Sequence, residues 1–263
     1  MLEPEQTTFI LLSFEGPDEY SQAGGLGVRV KELSRALAER GFQTHLFFVG
    51  DPKLPADESA LDGRLWLHRW SQWISRYHPA GVYDGEDDKV ADLNRSLPDA
   101  LVKDYIRPVI ERGQTVVVLG EEWHLAHAMS LISDALYFAG LRDRCLLLWN
   151  ANNHFSFHRI NWGQLAFVCT LMTVSRYMKH IMWRWGVNPI VVPNGIRLDD
   201  RPGQPGAGAR GARRGECAGV SLQDRALQPG QALAPGDRRR RPAERTWGNN
   251  PPADARWSRT LRR

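Results

Sequence analysis

A short apolar run, a glycine-rich turn and an amphipathic helix follow one another at the start of the chain, and few folds accept that succession. Thr8–Phe14 (TFILLSF) is short, β-branched and aromatic, the pattern of a buried strand. Leu26, Val30, Leu33 and Leu37 then recur at helical spacing with charged residues on the other faces, and Gly41 closes the helix. Between them lies Gln22-Ala23-Gly24-Gly25-Leu26-Gly27. Amides at a helix start have no intrahelical partner, and glycines let an anion come close, so a phosphate can sit there. A plain tight β–α turn uses the same residues, and both readings stay open at this point.

The alternation continues. Gln43–Val49, a short Leu65–Trp70, Thr115–Leu119, Cys145–Trp149, Leu171–Val174 and Pro189–Val192 read as strands. A polar loop is expected from Gly50 to about Gly63. Helices are expected over Asp84–Arg112 (interrupted at Pro98), Trp123–Ala139, Trp162–Cys169 and from Ser175, as cap, to Gly186. Trp66, Trp70 and Trp73 read as core or lid packing. The uninterrupted TVVVL of Thr115–Leu119 suits a parallel strand covered on both faces. The expected fold is therefore α/β: a doubly wound, mostly parallel, Rossmann-like sheet with a ligand crevice at the strands' C-terminal ends. Gly24-Gly25, Glu121 to His124, Asn150 to His154, Ser175 and Asn194-Gly195 all fall at that end.

Composition divides the chain in two. Residues 1–196 hold 19 Lys and Arg against 23 Asp and Glu; residues 197–263 hold 15 Arg, no Lys and 7 acids. Arg, Pro, Gly and Ala make up 41 of those last 67 residues, and no apolar period survives there. Residues 1–196 are thus expected to form the folded domain and 197–263 a disordered basic tail. Three cysteines, far apart and odd in number, argue for reduced thiols in the cytoplasm and against a metal site. No apolar run is long enough to span a membrane, and no nucleic-acid partner is expected.

Four segments taken together resemble the N-terminal half of the retaining, two-domain (GT-B type) nucleotide-sugar glycosyltransferases, particularly glycogen and starch synthases. They are AGGLGVRVKELSRALAERGFQTHLF, GEEWHLAHAM, TVSRYMK and VVPNGI, in family order over residues 8–196. The resemblance implies transfer of a hexose from a nucleoside-diphosphate sugar to an acceptor hydroxyl with retained configuration. The sugar nucleotide is the co-substrate, and no separate cofactor or metal is implied. It places the amides of Gly24 and Gly25 against the donor diphosphate or the acceptor edge. It places His124, as the catalytic candidate, and Asn194 near the transferred sugar. For His124 the alternative of a helix-start histidine bonded to its neighbours stays open. Glu122 stands where the family often has Asp. Asn152-Asn153 occupy the places of the family's His-Asn, and His154 is shifted. Asn152, able to donate and accept, suits sugar hydroxyls.

The family's donor-binding Arg and Lys and its paired glutamates belong to a C-terminal domain and are not legible here. A cleft with one encoded wall is expected to turn over sugar nucleotides negligibly by itself. The other reading, from a different class, is a glycan- or anion-binding module with a basic tail. A dinucleotide enzyme is disfavoured, because ten residues separate Phe14 from Gly24-Gly25 where the G-x-G-x-x-G turn should follow the strand directly. The tail also permits a reading in another frame. Shifted one base forward, Leu222–Ala234 (LQDRALQPGQALA) allows FKIGRFNPDKRWL, similar to a strand, Gly-Arg and Lys of the family's second domain. A frame change between about Ile196 and Ser221 is the expectation, and the coding sequence over residues 190–225 checks it: early stop codons in the shifted frame would rule it out.

Overall fold

The structure, a computed structural model, describes residues 2–195. The expectations for the basic tail, the shifted frame and the boundary at residue 196 lie outside the described residues.

The sheet grows outward from β1 (Thr7–Leu12). Its side chains alternate between two apolar layers: Ile10 and Leu12 face the larger core, while Phe9 and Leu11 face a smaller one. A strand buried on both faces needs parallel neighbours on both edges. It finds them in β2 (Gln43–Val49) and β5 (Thr115–Glu121). The full order is β3-β4-β2-β1-β5-β6-β7-β8, with β3 (Asp57–Ala60), β4 (Leu65–Trp70), β6 (Cys145–Ala151), β7 (Thr170–Thr173) and β8 (Ile190–Val191). Every pairing is parallel except β3 with β4. The order reverses between β1 and β5, which opens a crevice beyond their C-terminal ends.

Helix α1 (Gly25–Glu39) closes the smaller layer, with Val30 set against Leu11, Leu46 and Phe48. Each of these four is fully buried, and burial of one such side chain is worth about 1.5–3 kcal/mol. The larger layer is covered by α3 (Glu86–Ala100), α5 (Ala126–Phe138), α6 (Trp162–Val168) and α7 (Arg176–Trp183). Ser175 caps α7 as expected, its Oγ accepting from the Met178 amide at 3.2 Å. Cys145 and Cys169 are buried free thiols, their pKa values pushed up by burial to about 11 and about 12.

Three local expectations need correction. The stretch before Gly63 is not all loop: β3 adds an antiparallel edge strand. Its residues, DESA, carry no apolar alternation; side-chain bonds across the pair hold it, Asp57 Oδ1 to His68 Nδ1 at 2.6 Å and Glu58 Oε2 to Arg69 at 2.6 Å. Pro98 does not interrupt its helix. It sits inside α3, which passes through a π-helical stretch, Leu101–Ile106, into α4 (Arg107–Glu111); the wider π turn accommodates the register lost at proline. A four-residue α2 (Gln72–Ser75) lies where no helix was expected, and its Trp73 is half exposed, held by Nε1 donating to Asp92 at 2.9 Å. Trp70 packs on the core as expected.

The glycine turn is close-packed at one glycine and open at the other. A Cβ on Gly27 would meet the Gly16 carbonyl oxygen at 2.8 Å, whereas one on Gly25 would meet nothing within 4 Å. Gly27→Ala is therefore expected to lower stability by about 1–3 kcal/mol, and Gly25→Ala to leave it unchanged or raise it slightly. Urea denaturation of the two variants measures the difference.

Candidate functional site

Glu121 ends β5 and Glu122 follows it, beside the last residues of β6, so the sheet's own register sets Glu121 against Asn150. Glu121 is fully buried. Its Oε1 accepts from Arg29 Nε of α1 at 3.1 Å, and its Oε2 accepts from the side-chain amides of Asn150 at 2.9 Å and Asn152 at 2.8 Å. Arg29 also donates to the side-chain oxygen of Asn194, which follows β8. One carboxylate thus ties α1, β6 and, through Arg29, the segment after β8.

Glu122 turns the chain the other way. Its φ of 66° lies in the left-handed region, uncommon for a residue with a side chain. That conformation carries its carboxyl under the Asn150 to His154 loop, where Oε1 accepts from the amides of Asn152 at 2.6 Å and Asn153 at 3.1 Å. Its carbonyl accepts from the Trp149 indole at 2.9 Å. Burial raises the Glu122 pKa to about 7, helped by the Glu121 charge and opposed by the two Asn amides. The remaining polar atoms are bare: Glu122 Oε2, Asn150 Oδ1 and Asn152 Oδ1 are buried with no partner among the described residues.

His124 stands apart from that network. It starts the turn into α5, stacked between Phe14 and Trp123, each with ring centroids 4.1 Å away. Burial, with the Arg159 guanidinium nearby, pushes its pKa down to about 3. The neutral ring donates from Nε2 to Glu86 Oε1 at 2.8 Å, which leaves Nδ1 as a buried acceptor without a partner among the described residues. His124 also lines a cleft of about 270 Å³ with Asn94, Trp123, Arg159, Asn161 and Gln164.

The glycine turn is occupied from within. Glu15, buried in the β1–α1 loop, accepts from the amides of Gly24 at 2.9 Å and Gly27 at 3.0 Å, while Tyr83 donates to its other oxygen at 2.6 Å. It caps α1 as a phosphate would. The Gly24 amide is therefore taken by a carboxylate of the chain itself, and only Gly25 faces open space.

The structure thus gathers Glu122, Asn152 and Asn153 in one network. It joins Asn194 to them through Arg29 and Glu121, sets His124 on the α3 side and sends His154 to the exposed surface. Sequence reasoning missed Arg29, Glu15, Tyr83 and Glu86 as members of the site. Arg29 and Glu86 read only as polar helix residues, and no local signal marked Glu15. Glu121, next to Glu122 at the end of an apolar strand, was the one legible hint.

Residues 23–200 match the sequence profile described as Glycosyltransferase Family 4. The chain belongs to that family. This family 4 member shares its fold with the catalytic domain of starch synthase IV from Arabidopsis thaliana, solved bound to ADP and acarbose. The match has a TM-score of 0.50 and 13% identity over 73% of this chain and 52% of that one. Sucrose-phosphate synthase from Thermosynechococcus elongatus also matches, with a TM-score of 0.46 and 15% identity over 73% of this chain and 49% of that one. The family 4 chain therefore spans about half the length of these structures. No curated protein matches it. The Rossmann-like sheet is the N-terminal domain of the GT-B architecture, and among the described residues no helix is long and apolar enough to cross a membrane.

The Glu122 carboxyl has a direct consequence for pH. Its pKa of about 7 in the folded protein lies above the roughly 4.3 of an unfolded glutamate. The folded state therefore holds the proton more tightly, and its contribution favours folding most at acid pH. That contribution is lost as pH rises from about 4 through about 7, a span on the order of 3 kcal/mol. Urea midpoints measured from pH 5 to 8 are expected to fall more steeply for the parent than for Glu122→Gln, which keeps an acceptor for the two amides and has no proton to lose.

Proposed function

We propose that this domain serves a glycosyltransferase that moves a hexose from a nucleoside-diphosphate sugar to an acceptor hydroxyl with retained configuration, in the manner of glycogen and starch synthases. Within it, the crevice at the ends of β5 and β6 reads sugar hydroxyls. The observation that carries this reading is the set of bare acceptors, Glu122 Oε2, Asn150 Oδ1 and Asn152 Oδ1, buried within one bonded network. Leaving such an atom unpaired costs about 1–3 kcal/mol, and a polyol offers O–H donors that meet several at once. Near neutral pH Glu122 exchanges its proton readily, so the same atom also donates to a hydroxyl oxygen. His124, neutral and fixed by Glu86, presents Nδ1 as a further acceptor on the α3 side.

The sugar nucleotide is the co-substrate in this reading, and no separate cofactor takes part. Asn153, its amide held by Glu122, shapes the loop, and Asn194 and Gly25 border the open side. The diphosphate draws little from the Gly24 amide, which faces Glu15. Buried reduced thiols suit a cytoplasmic protein.

Saturation-transfer NMR of the full chain with a maltooligosaccharide, and separately with a hexose nucleotide, tests this. Pyranose protons are expected to saturate. Asn152→Ala, which removes one bare acceptor and one Glu121 bond, is expected to weaken the effect at least fivefold. Transfer confined to the nucleobase, or equal transfer in the variant, would show that the crevice does not read sugar.

A further inference from the structure

Two further bare acceptors lie outside the Glu121 network. His124 Nδ1 and Asn94 Oδ1 are buried without a partner among the described residues, and both residues line the cleft of about 270 Å³ where α3, α5 and α6 meet. Glu121, Glu122, Asn150 and Asn152 do not line it. Phe14 and Trp123 stack on the His124 ring, and Nε2 donates to Glu86. Nδ1 is then the one polar atom that the rest of the ring offers. With the ring held neutral by burial, that atom accepts and does not donate. Asn94 brings its acceptor from the α3 wall. Ser130 of α5 and Gln164 of α6 line the same cleft with groups that both donate and accept.

Size and charge narrow the ligand. The cleft is well beyond one water, whose share of liquid volume is about 30 Å³, and just under the roughly 300–1,000 Å³ of pockets for drug-sized molecules. A single ring fits that range. Arg159 also lines the cleft, stacked over Trp123 at 4.0 Å and bonded to Asp87 at 2.7 Å. An ammonium brought to the two acceptors would meet that guanidinium. A carboxylate or phosphate would set its oxygens against two lone pairs, with Glu86 on His124 and Asp87 on Arg159 adding charge of the same sign. A hydroxyl donates to either acceptor without bringing charge, and its own oxygen can accept from Ser130 or Gln164.

We propose that the cleft between α3, α5 and α6 binds one neutral pyranose ring, a second sugar site beyond the crevice at the ends of β5 and β6. The proposal rests on the function proposed above for the ligand's being a sugar, and it adds a place for that sugar that the Glu121 network does not build. Asn94 is the residue that sets its specificity. It presents an acceptor that no group of the described chain meets, on a helix that the crevice does not use.

NMR of the full chain, labelled with nitrogen-15 in histidine, reads the acceptor directly. The probes are methyl α-glucopyranoside and two charged sugars, glucuronate and glucosamine. The neutral glycoside is expected to shift His124 Nδ1, assigned with His124→Gln, and to do so with at least fivefold higher affinity than either charged sugar. Asn94→Ala is expected to weaken that binding at least fivefold while the thermal midpoint holds or rises, because Oδ1 has no bond to lose and alanine favours the helix. Asn152→Ala, which acts in the crevice, is expected to leave the Nδ1 response unchanged. The proposal is overturned by an Nδ1 that stays silent, by tighter binding of a charged sugar, or by an Asn94→Ala variant that binds as the parent does. A response that depends on Asn152 and not on Asn94 overturns it while the crevice reading stands. One that depends on Asn94 and not on Asn152 upholds the cleft even where the crevice reading fails.

Discussion

Glu121 is the charge on which the crevice depends. Fully buried, it survives because Arg29 and two asparagine amides meet it from separate elements. Removing Arg29 would leave an unpaired charge in the interior, a loss of about 3–5 kcal/mol for a broken buried pair. What the pair adds is geometric definition more than net stability, since a well-packed apolar replacement commonly does as well. The asparagine side chains show what is defined: with their NH₂ groups bound to Glu121, both carbonyl oxygens are directed away from that partner, and both lack another. The two bare asparagine acceptors of the site follow from the placement of one carboxylate.

The β1–α1 loop is fixed by the same kind of interaction repeated. Arg69 of β4 grips Asp18 with two bonds, at 2.8 and 3.0 Å, and both residues are buried. Lys89 of α3, fully buried, donates to the Tyr20 hydroxyl at 2.7 Å and to the carbonyls of Gly81 and Val82 at 2.9 and 3.0 Å. Burial pulls its pKa down to about 8, so it remains mostly charged at neutral pH. Tyr83, on the segment that Lys89 holds, reaches Glu15. The glycine turn is therefore positioned through a chain of contacts, from α3 through the Gly81–Tyr83 segment to Glu15 and α1.

How much of this could be read from the residues depends on the range of the interaction. Periodicity is local, and it located β1, α1, β2, β4, β5, α5, β6, α6 and α7 to within a few residues. The parallel order followed from their alternation. Asp57 to Ala60 escaped because its strand character comes from His68 and Arg69, eleven residues away in sequence. Pro98 misled because a helix buried against α5 tolerates a local π turn that an isolated helix would not. Glu122, Asn152, Asn153 and Asn194 fall into one network, as their shared place at the strands' C-terminal ends and the family resemblance both suggest. Glu15 was unreadable: a carboxylate nine residues before Gly24 becomes its partner only once the loop has folded back.

That last contact bears on what the glycine turn is for. A bare helix N-terminus presents about half a positive charge to a ligand. Here Glu15 brings a full negative charge to the same amides and is itself held by the Tyr83 hydroxyl. At about 4 Å in a medium of effective dielectric near 20, one further negative charge on a phosphate would meet roughly 4 kcal/mol of repulsion from that carboxylate. The helix-end attraction, about 0.3–1 kcal/mol at an exposed site and up to about 2 when partly buried, is smaller. On the function proposed above, the Gly24 turn would then lie beside a neutral polyol, whose hydroxyls can share Glu15 without adding charge, more readily than it would seat a diphosphate alone. The chemistry at the ends of β5 and β6 points the same way, toward hydroxyl groups, with three bare oxygens and a carboxyl that titrates near neutrality.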